Sequence, residues 1–544
     1  MSLRDDESNN AVPRPFEGLW EGDSKIVIGI DVGTTQSGVA FSFLQQGARQ
    51  TIHRVMQWPG QEASNVFSKI PTLVWYDTEG KAVSFGAEAA SPQADEDAED
   101  NNWRLAKHFK LHLHPSDMRA RHDLELDPLP EGVSLRKIYA DFLGYLFKHT
   151  RSYFELHIVD GALIWENYHT KMEIVIAHPN GWGIQIGLNT TVYKVVATRP
   201  TLKIEETKAS ACVQAGAIFV DYAAERYLNA AFGNASLSRE EIHDYAARGM
   251  KDFEGNAKRN FIDPTREQKI EVAGPRINNP SLRIRRGRMA LPGAVVKSFF
   301  DSCVQEIVDS VGQQIEGIDV SNLLLVGGFG DSPFLRQQLM DQYQPLGCHI
   351  TLTNESASKA VADGALIWNN ISSVTGRAPR FSFGVRTTER YDPSSPEHQG
   401  RNVWFSAAGH QIVSGHWSQI VEKGVVLDIE AVTRRSFHRD YTSSSPDLED
   451  FETGLYCYSG EGKPRWINDR TGGLHTNFQK SCVIRANLSN LIGALERRIG
   501  LQGREYWRVN FDVCIRFGGT ELEAFLEWEE DGTTRTGEVT IIPE

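Results

Sequence analysis

The chain has 544 residues, 40% of them apolar and 24% charged, the balance of ordinary globular protein with about three to four domains' worth of material. Its net charge of −14 gives an acidic surface that repels nucleic acid and anionic lipid headgroups, so neither nucleic-acid nor membrane binding is expected. No run of about 18 apolar residues spans a membrane, the six cysteines form no Cys-x-x-Cys pair, and the polar, acidic start is unlike a secretory signal; the expected compartment is the cytoplasm.

Residues 1–23 are expected to be a disordered tail. "KIVIGIDVGTTQSGVAFSF" (Lys25–Phe43) follows as apolar strand, tight turn, apolar strand. A plain reversal does not need Asp31, Gly33, Thr34 and Thr35 within five residues. Gly33 lets the backbone approach a bound group closely. Successive N–H groups and the two threonine hydroxyls can cradle phosphate oxygens. Asp31, at a strand end, can hold Mg²⁺ through its waters. "KIPTLVWYD" (Lys69–Asp77) is a further strand. The acidic run "SPQADEDAEDNN" (Ser91–Asn102) reads as a solvated loop. Leu135–Phe154 places Ile138, Phe142, Tyr145, Leu146 and Phe154 on one helical face, and "MEIVIAHP" (Met172–Pro179) reads as a short buried strand.

Helices are expected over Asp221–Phe232, Ile242–Phe261, around Val296–Ile315, and over Ser356–Trp368. "NLLLVGGFGDSPFLRQQL" (Asn322–Leu339) reads as strand, glycine turn and helix, which sets a helix N-terminus beside Gly327 and Gly328. From about residue 371 the texture is all-β. Thr442–Gly454 is a polar loop. Trp507–Phe517 and Leu522–Trp528 alternate as a hairpin about Gly518-Gly519-Thr520, and its apolar face needs cover from another sheet or a partner.

The ordered set of these motifs resembles the seventy-kilodalton heat-shock family of the actin-like ATPase superfamily. "IGIDVGTTQSGVAF" is similar to the family's first phosphate loop, and "IPTLVWYDTEGKAVSFGAEAA" to the strand and turn after it. "GNAKRNF" (Gly255–Phe261) resembles the adenosine-contacting helix, "LLLVGGFGDSPFLRQQL" the adenosine loop, and "AVADGA" (Ala360–Ala365) the returning helix. "VGGFGDSP", "WRLAKHFKLHLHP" and "ASACVQAGAIFVD" point to the divergent twelve-A-like branch, expanded in fungi. The implied fold class is α/β, a two-lobed actin-like (ribonuclease-H-like) ATPase followed by a β-rich C-terminal region. The implied units are 24–195 and 196–370 for the lobes and 371–544 for the β-rich part, which is similar to a substrate-binding region. The resemblance implies ATP or ADP with Mg²⁺, and peptide or protein clients.

Residue by residue, the resemblance assigns Mg²⁺ to Asp31 and the β- and γ-phosphates to Thr34 and Thr35. It gives Lys110 the catalytic lysine's place, with Lys107 as the alternative. Lys258 and Arg259 fall beside the ribose and adenine, with Gly327, Gly328 and Phe329 in the adenosine loop. Two departures touch the base: the family's glutamate falls on Gly255, and its stacking arginine on Asp331.

A larger departure follows Gly183. The family carries there a catalytic glutamate and a second phosphate loop, Asp-x-Gly-Gly-Gly-Thr. Here only "IQIGLN" (Ile184–Asn189) separates the flanking matches, and Gly187 and Thr190 are read as remnants. Phosphoryl transfer depends on charge stabilisation from both sides. The expectation is therefore a chaperone-like ATP-binding protein with weak or lost hydrolysis. The alternative is a protein- or peptide-binding module that has lost nucleotide. A carbohydrate kinase of the same superfamily is a weaker alternative, because it needs a catalytic aspartate in the second-loop region and this sequence places none there.

Overall fold

The computed structural model describes residues 18–62, 68–113, 126–177, 188–198, 202–213, 215–235, 237–352, 360–371, 374–491, 495–518, 521–530 and 532–542. The chain divides into two units, one of Met1–Thr190 with Ala211–Ile371 and one of Thr191–Ser210 with Ser372–Glu544. It is mixed α/β, with its later part almost entirely strand.

The first unit opens on β1 (Lys25–Val32), β2 (Gln36–Leu44), β3 (His53–Arg54) and β4 (Lys69–Pro71). β1 and β2 pair antiparallel, and β3 and β4 both pair with β2. β5 (Leu73–Tyr76) centres a small sheet between β6 (Ala82–Phe85) and β7 (Arg104–Lys107). The acidic run read as a loop is helical. Ser91 caps Pro92–Asn101 by accepting the Ala94 N–H, proline sits in the first turn, and Asn102 closes the helix in the left-handed region. Ala94 and Ala98, one turn apart, are buried, so two small apolar residues suffice to seat it.

The long helix Leu135–His157 is capped by Ser134 and buries Ile138, Phe142, Leu146, Thr150 and Phe154 at steps of four. That stripe packs on the apolar face of β1 and β2. The returning helix, Ala360–Ile371, covers the opposite face with Ala362 and Leu366 against Val27, Ala40 and Leu44. A Cβ at Gly29 would stand 2.5 Å from the Ala362 carbonyl, so only glycine permits this approach. Arg54 clamps Asp363 with contacts of 2.6 and 3.0 Å.

β8 (Glu173–Ala177) pairs parallel with β1. It was expected to be buried, but Ile174 and Ile176 are 49% and 43% exposed. β8 is the edge strand of its sheet among the described residues, so that flank has no neighbouring strand there. Gly18–Asp23, expected in the tail, are ordered against the 45–49 turn. The Trp20 backbone bonds both Gly47 and Ala48, and its indole N–H donates to the Asp23 carbonyl.

The second core of this unit gathers the helices Ala217–Gly233, Arg239–Asp252, Gly293–Ile315 and Pro333–Tyr343 over a three-stranded sheet. The helix expected to run to Phe261 turns π-helical over Phe253–Ala257 and ends in a short turn, Lys258–Asn260. Leu188–Thr190 pairs with Ala211–Val213, and the Ser310 hydroxyl donates to Thr190 at 3.0 Å. Thr190 is thus a strand residue held by a helix; Gly187 lies outside the described residues.

Residues 191–210, across which a lobe boundary at 195/196 was expected, form a hairpin of the second unit. Tyr193–Ala197 pairs with Lys203–Glu206, which joins Val374–Arg377 in parallel. Glu206 accepts the Ala378 N–H at 3.1 Å, which ties the hairpin to that strand. The rest of this unit is a five-stranded and a six-stranded sheet enclosing one core. Phe511, Val513, Ile515, Leu522 and Leu526 of the expected hairpin pack there with Phe383, Leu455 and Ile484. The hairpin face is therefore covered by a second sheet. The loop expected over 442–454 gives way to a strand at Phe451, and Leu448 and Phe451 are anchored in the same core.

Candidate functional site

The opening turn hangs between β1 and β2, and Gly33 fits it for want of space. A Cβ there would stand 2.1 Å from the Gln36 carbonyl oxygen. Thr34 is half-buried and Thr35 exposed. The Thr35 carbonyl accepts the Thr72 N–H at 2.9 Å, and Ser37 and Thr72 share a buried hydroxyl pair at 2.8 Å. The turn is pinned at its base while its tip stays open.

Asp31 is 8% exposed. In register, it faces Gly38 of β2, and Gly38 faces Lys69 of β4. Residues directly opposite in antiparallel pairs point to one face, so Asp31 and Lys69 flank a position with no side chain. Lys69 lies across that gap, and its Nζ donates to Asp31 Oδ2 at 2.7 Å. A Cβ on Gly38 would press on Lys69 Cγ at 3.1 Å. Lys69 was not foreseen as a site residue. Its signal is visible only in the register: a lysine two strands from the aspartate, with glycine between.

Lys110 sits in the single helical turn Phe109–Leu113 after β7. Its Nζ donates to the Val32 carbonyl at 2.5 Å, at the mouth of the turn. Burial pushes its ammonium below the usual lysine range; Asp31 opposes that and Lys69 adds to it. Lys107, the alternative, is held instead by Asp127 at 2.9 Å. Of the two lysines, Lys110 is the one that reaches the turn.

The residues expected around the adenosine are arranged differently. Lys258 Nζ meets both oxygens of Asp221 at 2.6 Å. Burial pushes the Asp221 carboxyl up to about 7, with Lys258 drawing it the other way. Asp221 was also unforeseen, though a sign was present. It interrupts the apolar stripe Ile218, Ala224, Leu228, Phe232 on the buried helix face. Arg259 is exposed and folds back on the Glu254 carbonyl. Gly327 takes φ +84°, the left-handed region that favours glycine. Phe329 stacks on Phe300, with ring centroids 6.4 Å apart, against the helical core. Ser332 caps the next helix by accepting the Leu335 N–H.

The structure therefore brings together Asp31, Gly33, Thr34, Thr35 and Lys110, and adds Lys69. One carboxylate and two ammonium groups stand at a glycine turn. The residues do not fit a magnesium site as the resemblance implies it, because the one carboxylate is already paired to an ammonium. They fit an anion. His108, two residues before Lys110, is paired with Asp127 at 2.8 Å and lies edge-on to Tyr222 at 6.2 Å. Among the described residues no group of three His, Cys, Asp or Glu side chains is placed to hold a metal ion, and no helix is long and apolar enough to cross a membrane.

The class defined so far is a mixed α/β chain with a glycine turn and paired lysines at one sheet end. No family model matches the chain. It is similar in sequence to "Heat shock 70 kDa protein 12B" of Homo sapiens, at 34% identity over 147 residues, 27% of this chain and 20% of the relative. "Heat shock 70 kDa protein 12A" is 32% identical in Mus musculus and 31% in Homo sapiens, each over 116 residues, 21% of this chain and 16% of the relative. The matched stretches thus span a fifth or less of those relatives. Among solved structures, a "pCBH ParM non-polymerisable quadruple mutant" covers 63% of this chain and 99% of its own, at 11% identity and a TM-score of 0.29. A score that low carries no argument about the fold.

Proposed function

We propose that this is a heat-shock-70-like protein of the actin-like ATPase superfamily that binds the phosphates of a nucleotide at its opening turn and turns over little or no ATP. The observation that carries the reading is the convergence of Lys110, Lys69 and Asp31 on the Gly33 turn. The sequence similarity to the 12A and 12B proteins supports it. Weak hydrolysis follows from the sequence: the second phosphate loop and its catalytic glutamate have no counterpart. Losing one preorganised charge-stabilising group typically slows an enzyme about 10²–10³-fold. The β-rich unit is proposed to serve peptide or protein clients in the cytoplasm, with an extended segment added along a strand edge as the recognition mode.

A second reading, a binding module without nucleotide, is favoured by one observation: Asp31 and Lys258 are both already satisfied by internal partners. Calorimetric titration of ADP into the full chain separates the two. The first reading expects saturable binding with ATP turnover near background. Absence of binding favours the second. Steady turnover that Lys110→Ala abolishes would refute the proposal of lost hydrolysis.

A further inference from the structure

The paired charges at the turn bear on which form of ligand it takes. An ammonium has three donor hydrogens. Among the described residues, Lys69 directs one to Asp31 and Lys110 one to the Val32 carbonyl, which leaves two on each. Asp31 is committed in charge rather than in lone pairs: its Oδ2 lies 2.7 Å from the Lys69 ammonium, and the residue is 8% exposed. Bringing a divalent cation to Asp31 sets its two positive charges against the ammonium groups of both Lys69 and Lys110. Bringing an anion to the turn meets the ammonium groups of both lysines instead. The base end offers less. Lys258 is held on Asp221, Arg259 is turned to its own backbone, and Phe329 belongs to the core.

We infer that the turn binds polyphosphate anions in their metal-free form, with Lys69 and Lys110 taking the role expected of magnesium, and with Asp31 serving as the counter-ion that positions Lys69. This rests on the phosphate reading above and goes further in two respects. Magnesium weakens binding, because it neutralises the charge that the lysines read. The base contributes little, so inorganic pyrophosphate competes with ATP.

The test is the melting temperature of the full chain with ATP, ADP, pyrophosphate or adenosine, each in EDTA and in excess Mg²⁺. A ligand at about 100 times its Kd raises the transition of a unit of about 350 residues by about 4 °C. The expected result is such a rise in EDTA with ATP, ADP and pyrophosphate, a smaller rise with Mg²⁺, and none with adenosine. Asp31→Asn keeps a rise in EDTA, since the amide oxygen still accepts from Lys69 and holds it in place while a negative charge is removed. Lys69→Met abolishes it, as does Asp31→Asn/Lys69→Met, which leaves no unpaired carboxylate and guards against misfolding. The surface variant Lys81→Met behaves as wild type. A rise seen only with Mg²⁺ and lost in Asp31→Asn overturns this inference and leaves the phosphate reading standing. A rise with adenosine equal to that with ATP also overturns it. No rise with any ligand, with or without Mg²⁺, overturns both.

Discussion

Lys69→Met should destabilise the first unit more than the loss of a surface lysine can. The pair it breaks is nearly enclosed, with the side chains of Lys69 and Asp31 14% and 11% exposed and 2.7 Å between the charged atoms. At an effective dielectric of about 20, the attraction at that distance is about 6 kcal/mol. Desolvation of both groups cancels part of it. Removing one partner of a buried pair nonetheless costs about 3–5 kcal/mol, because the other charge stays behind unpaired. Lys110 stands close enough to supply part of the missing charge, so the lower end, about 3 kcal/mol, applies. With about 2.1 cal/mol/K of unfolding entropy per residue and about 350 residues, that loss lowers the transition by about 4 °C. Asp31→Asn/Lys69→Met should recover most of it, since an amide and a thioether leave no charge to desolvate. Differential scanning calorimetry of the full chain reads both. A Lys69→Met transition within a degree of Lys81→Met would mean that the pair does not hold in solution, and Asp31 would again be open to a metal ion.

Three further outcomes follow from the same geometry. The stability of wild type relative to Asp221→Asn should fall as pH rises from about 4 to about 7: the raised carboxyl holds its proton longer in the folded chain than in the unfolded one, so its favourable contribution is complete at low pH and is lost by up to about 4 kcal/mol on ionisation. Parallel pH–stability curves for the two proteins would contradict this. Leu526→Ala, at a fully buried position in the sandwich, should cost about 3 kcal/mol and lower the second unit's transition by about 7 °C, leaving the ligand-dependent shift of the first unit unchanged. Gly33→Ala should remove ligand-dependent stabilisation altogether, because its methyl group can be seated only by opening the turn; an unaltered titration in that variant would place the anion elsewhere.

What the sequence disclosed depended on the range of the interaction. Local signals were legible. The strand–turn–strand at Asp31–Gly33 reads directly, as do the stripe from Ile138 to Phe154, the helix start after Gly327-Gly328, and the alternation over Trp507–Phe517 and Leu522–Trp528. Composition misled at Ser91–Asn102, where acidity suggested a loop while the capping residues and two alanines were enough for a helix. Pairing across distance was not legible. Lys69 meets Asp31 only because three strands bring them into register across Gly38. Lys258 meets Asp221 across 37 residues. Residues 191–210 leave the first unit because Lys203–Glu206 finds its strand partner at Val374–Arg377. "MEIVIA" looked buried because its composition is that of an interior strand, yet β8 lies at a sheet edge with two isoleucines exposed.

The most direct test of the central claim is hydrogen–deuterium exchange of the full chain with and without pyrophosphate in EDTA, followed in peptides spanning residues 31–38. The amides of Gly33, Thr34 and Thr35 lie at the proposed anion cradle, and Lys110 bonds the carbonyl of the Val32–Gly33 peptide group. Slowed exchange is expected there, lost in Lys69→Met, with the Lys258–Phe261 region unchanged. Exchange in residues 31–38 that is indifferent to saturating anion would contradict it.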